Sequence, residues 1–286
     1  MNGRVNDARW QRRATRARRL AGERPAVADT LYFYADLAEQ QELLLRRYPQ
    51  LISTPSPMFS DRLDPGAALR ALPELLTFIR REAPAALATE LAPSGDLDHD
   101  RWTYRIHSYW ITGGREAWDA SPVQCFVLEA LLQPFAEAVA AETAEAVTGP
   151  VPSVPFGEDF HNGRRPRGGR CDRCSGVPVV TMLREQGHGS KRSLVCGFCL
   201  GEWPSPRLEC LHCGEAKFDS LPVFRSEEFD AVRIDACDAC QSYVKTIDLT
   251  RDGEASPIVD DLASLPLDVW AHEKGYRRVR SNLFGI

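Results

Sequence analysis

The sequence predicts an α+β multidomain protein: an N-terminal α-helical bundle, then two tandem metal ribbons, then a C-terminal helix. Three observations predict it. Apolar residues recur at helical spacing through the first half, and a proline- and glycine-rich stretch near residue 150 interrupts them. Eight of the nine cysteines then fall in four Cys-x-x-Cys pairs between residues 171 and 240. A length of 286 residues suits two domains of about 150 residues each. With 43% hydrophobic and 26% charged residues, the composition excludes wholesale disorder and collagen-like repeats. A net charge of -5 argues against a protein that coats polyanions.

The chain opens on a basic segment, with eight arginines from Arg4 to Arg24 against Asp7 and Glu23. A solvated helix face is the expected reading; contact with nucleic acid or an acidic partner is the alternative. No apolar stretch follows Arg12-Arg13, so an export signal is not expected. No charge-free run approaches the roughly 18 apolar residues of a membrane span, and a soluble protein is expected. Leu31, Tyr34, Leu37, Leu44 and Tyr48 mark a helix stopping at Pro49. Leu69, Leu72, Leu76 and Ile79 mark a second between Pro65 and Leu91, in which Pro73 is either tolerated or a break. Trp102, Ile106, Tyr109 and Trp110 mark a third, before Gly113-Gly114. The fourth, Val123 to Val147, carries Phe126, Leu131, Phe135 and Val139, and Pro134 should bend it. Cys125 lies here, as a small apolar core residue.

Domain 1–148 is thus helical, and 149–169 reads as a linker carrying Arg164, Arg165 and Arg167. The first ribbon occupies 170–204, with strand-like runs at 177–183 and 191–196 forming a hairpin. The second occupies 205–286, with runs at 221–226, 229–237 and 242–249 and a closing helix over 260–276.

The pairs are Cys171/Cys174, Cys196/Cys199, Cys210/Cys213 and Cys237/Cys240. Two residues between ligands let a tight knuckle aim both sulfurs at one ion, and two knuckles complete a tetrahedral site. The gaps within successive pairs of knuckles are 21 and 23 residues, each spanning a hairpin, whereas the middle gap is 10. That spacing favours sequential pairing, with a cross-brace of first with third as the alternative. Gly176, Gly197, Gly201 and Gly214 suit turns with unusual backbone angles. Four thiolates satisfy either zinc or iron and leave no open position for catalysis. Metal binding of about 10–16 kcal/mol would decide whether such small modules fold.

Thiol exchange is the rival chemistry, but such motifs sit singly in βαβ surroundings. His212 sits inside the third knuckle with no vacancy to fill; His99, His107, His161 and His188 have no identifiable partner. No phosphate loop, nucleophile elbow or zincin helix occurs. Glu227-Glu228 and Asp260-Asp261 read as caps and solvated turns rather than general acids. No enzyme is expected.

An ordered series of motifs carries a family resemblance. It runs Cys171-Asp-Arg-Cys174; Leu194-Val-Cys196-Gly-Phe-Cys199 with Gly201-Glu202-Trp203; and Arg207-Leu-Glu-Cys210-Leu-His-Cys213-Gly214. It continues through Cys237-Asp-Ala-Cys240-Gln-Ser-Tyr243-Val-Lys245, Asp260 to Leu265, and Gly275-Tyr276. In these the chain resembles the formate dehydrogenase accessory protein FdhE family; the helical half matches more loosely, around Arg16 to Leu20, Tyr34 to Gln41 and Phe126 to Ala140. The resemblance implies two rubredoxin-like modules with all eight paired cysteines as ligands, to iron by expectation and zinc as the alternative. It further implies a cytoplasmic, non-enzymatic maturation factor that binds the formate dehydrogenase catalytic subunit. The absence of a long apolar run argues against a membrane partner, and the acidic remainder and lack of interleaved aromatic and basic residues argue against nucleic acid. A nucleic-acid-binding zinc-ribbon regulator and a rubredoxin-like electron carrier are the alternatives. Asp172, Ser175 and Gln241-Ser242 depart from the usual knuckle sequence, where proline or glycine is expected.

Overall fold

The structure, a computed structural model, describes residues 8–53, 56, 58–91, 98–114, 120–146, 169–187 and 189–285. Apart from Gly169, the expected linker lies outside the described residues, as do Arg4, His161 and His188.

Among the described residues the first half carries six α-helices: α1 (Ala8–Glu23), α2 (Ala28–Arg47), α3 (Pro65–Glu82), α4 (Ala85–Leu91), α5 (His99–Ile111) and α6 (Pro122–Ala146). Most residues expected on their apolar faces are buried, among them Leu31, Leu37, Leu44, Leu72, Leu76, Trp102, Trp110 and Phe135, whereas Tyr48, Leu69 and Cys125 are half-buried. Asp64 caps α3 by accepting from the Ala67 amide at 3.0 Å, and Asp98 caps α5 by accepting from the Asp100 and Arg101 amides. Pro73 is tolerated inside α3; the break comes at Ala83, which is extended ahead of Pro84. Helix α6 runs through Pro134. A proline lacks the N–H that would bond the carbonyl four residues earlier, here that of Ala130. The buried Gln41 amide supplies the missing donor, 2.9 Å from that oxygen. By length and composition Pro122–Glu142 could cross a membrane, but 83% of this stretch is buried inside the protein, where it forms the centre of the bundle.

The second half is one sheet with strand order β3-β2-β1-β6-β5-β4. Its strands are β1 (Pro178–Gln186), β2 (Gly189–Cys196), β3 (Glu202–Pro204), β4 (Val223–Arg225), β5 (Val232–Cys237) and β6 (Ser242–Asp248); β7 (Arg277–Arg278) adds to β6. The expected hairpins are β1–β2 and β4–β5–β6, all antiparallel. They are joined by parallel pairing of β1 with β6, where the Thr181 and Thr246 hydroxyls bond each other.

The closing helix is two helices, α7 (Pro257–Ala263) and α8 (Leu265–Glu273). Pro266 cannot donate to the carbonyl of Leu262, so the chain breaks at Ser264. The break turns polar groups toward the sheet. The fully buried Lys245 ammonium on β6 donates to the Asp261 carbonyl at 2.6 Å and contacts the Ser264 hydroxyl at 3.3 Å. It also pairs with the carboxylates of Asp261, at 2.9 Å, and Asp268. Arg278 pairs with the same two carboxylates, and the Tyr243 hydroxyl donates to Asp268 at 2.7 Å. Two cations thus face two anions in a dry site, which is the condition under which buried charge is tolerated.

Arginines of α1 fasten that helix to the rest. Arg9 and Arg13 grip Glu137 of α6, Arg16 reaches Asp260 at 3.0 Å and also Asp252, and Arg18 pairs with Asp36 and Glu39. Arg24 lies over the Phe229 ring, its guanidinium carbon 4.4 Å from the centroid. Arg9, Arg13, Arg16, Arg18 and Arg24 therefore clamp elements together, while Arg12 and Arg19 are exposed, as the sequence suggested. Asp260-Asp261 is likewise a buried pairing hub rather than a cap in solvent, because the cations that hold it come from residues distant in sequence.

Candidate metal centres

The four knuckles share one backbone design. The amide of the first cysteine bonds the carbonyl five residues on in three of them: Cys171 to Gly176, Cys196 to Gly201 and Cys210 to Glu215, at 2.8–2.9 Å. In the fourth, Cys237 pairs with Ser242 across the β5–β6 hairpin. The residue after each second cysteine adopts positive φ: Ser175, Leu200, Gly214 and Gln241. Three of these are not glycine, so the departures at Ser175 and Gln241 leave the turn intact at a cost of about 1–2 kcal/mol each. Of the glycines expected to serve by backbone angle, Gly214 alone has positive φ. Gly176 serves by closeness: a Cβ there would lie 2.7 Å from the Cys196 sulfur.

The knuckles pair sequentially. Cys171, Cys174, Cys196 and Cys199 form one group and Cys210, Cys213, Cys237 and Cys240 the other, with all sulfurs in a group within 4.8 Å of one another. A tetrahedral ion with metal–sulfur bonds of about 2.3 Å sets its sulfurs ~3.8 Å apart, whereas a disulfide needs about 2.05 Å. The separations are 3.5 Å for Cys171–Cys199, 3.4 Å for Cys174–Cys196, 3.6 Å for Cys210–Cys240 and 3.7 Å for Cys213–Cys237. These are cage distances. Each group can hold one metal ion, and the all-sulfur donor set fits zinc or iron equally. Neither cage takes in His212. His99 and His107 are exposed on α5.

The first cage is wholly buried where the bundle meets the sheet. The Phe198 ring, inside its second knuckle, packs edge-on against Tyr109 and Trp110 of α5. Gly113, just past α5, has φ +66°, and a Cβ there would lie 2.3 Å from the Cys174 carbonyl oxygen. The Cys196 sulfur accepts from the Phe198 amide at 3.4 Å. Burial opposes a thiolate at Cys196, yet its hydrogen bonds with Cys171, Cys174 and Cys199 and the charge of Arg280 outweigh it, holding this thiol well below its ordinary value. Arg280 in turn donates to the carbonyls of Val177 and Gly114 and pairs with Glu129 at 3.3 Å. Burial raises the Glu129 pKa, with Arg280 and Tyr109 opposing.

The second cage is more open, with Cys213 and Cys240 half-buried. The Ser242 hydroxyl lies 3.3 Å from the Cys240 sulfur. Beside it, Arg192 of β2 is held below its ordinary pKa by burial, against the opposing charge of Asp235. Trp203, on edge strand β3, packs against the cluster of Leu194, Leu211 and Val244.

Fold and cages together define a protein with two four-cysteine cages, each able to hold a metal ion, and a helical N-terminal half. Comparison with known proteins narrows the class. The family described as "FdhE, C-terminal domain" matches residues 208–284. A Haemophilus influenzae "Protein FdhE homolog" is 27% identical over 96% of this chain and 87% of its own length. One from Aquifex aeolicus is 40% identical over 116 residues, which is 40% of this chain and 41% of the relative. The crystal structure of the FdhE protein from Pseudomonas aeruginosa superposes with a TM-score of 0.69 at 26% identity, covering 96% of this chain and 94% of that one. The chain is thus similar to FdhE proteins over nearly its whole length, and its residues 208–284 match their C-terminal domain.

Proposed function

We propose that the protein is a non-enzymatic accessory factor for the maturation of formate dehydrogenase, acting in the cytoplasm by docking on the catalytic subunit. Similarity to FdhE proteins carries this reading, and the match spans nearly the whole chain rather than the cysteine motifs alone. The eight paired cysteines are the proposed metal ligands, and iron, which the resemblance implies, is the proposed ion for both cages, with zinc the alternative. Four protein donors per ion fill a tetrahedral shell and leave no position for a substrate, so the ions shape the C-terminal half. An acceptor for nucleic acid is disfavoured, because Arg9, Arg13, Arg16, Arg18 and Arg19 are engaged with carboxylates of the same chain.

Deletion of the gene tests the reading. Formate dehydrogenase activity falls while the amount of catalytic-subunit transcript stays unchanged, and affinity capture with this protein retrieves the catalytic subunit. Full activity in the deletion strain would overturn it. Iron in the cages gives thiolate-to-metal absorption in the visible range, whereas zinc gives none.

A further inference from the structure

A cavity of about 370 Å³ lies beside the second cage, within the size range of small-molecule sites. It is bounded by the outer face of the sheet and the arm that carries the third knuckle. Its charged lining is Arg192, Arg207 and Arg233 against Asp235 and Glu209. Asp235 is already shared: it accepts from Arg233 at 2.8 Å and from the Thr246 hydroxyl at 2.7 Å, and stands 3.6 Å from Arg192. Arg192 is 4% exposed, and its Nη1 donates to the carbonyls of Pro206 and Glu209, but its buried Nε has no hydrogen-bond partner among the described residues. A buried unsatisfied donor of a charged group is costly, and a carboxylate is the acceptor a guanidinium fits best. The rest of the lining is apolar, from Leu211 and Val244 inside to Leu208 and Val223, which are 54% and 49% exposed.

We propose that this cavity binds a carboxylate attached to an apolar body, the carboxylate meeting Arg207 and Arg233 with the sealed Arg192 guanidinium adding positive charge behind them, and the body lying on Leu208, Leu211, Val223 and Val244. Such a group occurs on free organic acids and at the carboxyl end of a peptide with an apolar last residue. The arginines also offset the charge of the thiolate cage, since Cys210 and Cys237 line the same cavity. That role alone requires no ligand, and binding separates the two. The site stands independently of any role in formate dehydrogenase maturation.

The test uses the full-length, metal-loaded protein, titrated with hydrocinnamate and followed by the amide resonances of cavity residues. Hydrocinnamate amide serves as the uncharged control. A tripeptide ending in phenylalanine is tried with a free and with an amidated carboxyl end. The acid forms bind saturably and at least about tenfold more tightly than the amides. Arg192→Gln, which removes charge behind the site, weakens binding severalfold. Because that change also removes bonds to the Pro206 and Glu209 carbonyls, Arg207→Ala and Arg233→Gln are tested beside it, each weakening binding severalfold with metal content unchanged. Tighter binding of the tripeptide identifies a peptide end as the source, and tighter binding of hydrocinnamate a free acid; either sustains the carboxylate site. Equal binding of acids and amides, no saturable binding, or wild-type affinity in both Arg207→Ala and Arg233→Gln overturns it.

Discussion

Replacing Lys245 by methionine removes one cation from a site holding two cations and two carboxylates. Lys245 is fully buried, and no solvent reaches Asp268 to compensate. Asp261 and Asp268 would then face Arg278 alone, leaving one uncompensated negative charge in the interior. Breaking a buried pair in this way costs about 3–5 kcal/mol, and the thioether recovers little because its volume roughly matches what it replaces. The double variant Lys245→Met with Asp268→Asn restores charge balance, with the asparagine oxygen still able to accept from Tyr243 and Arg278. It should regain about 1–3 kcal/mol of the loss. Urea unfolding of the metal-loaded variants reads both quantities, with metal content measured in parallel to keep the cages out of the comparison. A loss below about 1 kcal/mol for the single variant, or a double variant no more stable than the single, would refute the claim that charge balance at Lys245 holds α7 and α8 to the sheet.

Three further outcomes follow from the geometry. Gly113→Ala places a Cβ against the Cys174 carbonyl at positive φ, and is expected to cost more than about 2 kcal/mol. Gly187→Ala, also at positive φ but with open space around it, should cost only about 1 kcal/mol in the same unfolding assay. Glu137 is buried, which opposes its charge, but Arg13 and Arg9 outweigh that and hold its pKa below the usual carboxylate range. A depressed folded pKa means that the stabilisation is complete above the unfolded value of about 4.3 and is lost as pH falls through the folded one. The stability gap between wild type and Glu137→Gln should therefore shrink from pH 7 towards pH 3; a constant gap contradicts the pairing. Cys196→Ser and Cys237→Ser should each lower metal content from two ions to one by elemental analysis, since the two cages share no ligand.

The eight cysteines were legible because knuckle spacing is local: two residues between ligands and a hairpin between knuckles leave few geometries. Helix limits at Pro49 and Gly113-Gly114 were legible for the same reason. What escaped depended on distant chain. No local pattern shows that β1 runs parallel to β6 and fuses two ribbons into one sheet, or that Gln41 rescues the carbonyl orphaned by Pro134. The arginines of α1 looked like a solvated face because their acidic partners lie as much as 244 residues away. Tyr243 and Lys245 stood out as motif positions with no role attached; the buried cluster they form with Asp261, Asp268 and Arg278 supplies one. Pro266 was a readable signal for the break between α7 and α8, and the periodicity around it concealed that break.

Metal analysis of the full-length protein, combined with thiol titration before and after chelation, bears most directly on the two cages. Two ions per chain, with the eight paired cysteines protected until the ions are withdrawn and the sheet's tertiary signal lost on their removal, is the expected result. Fewer than two ions, or paired cysteines recovered as disulfides from protein purified under reducing conditions, would contradict it.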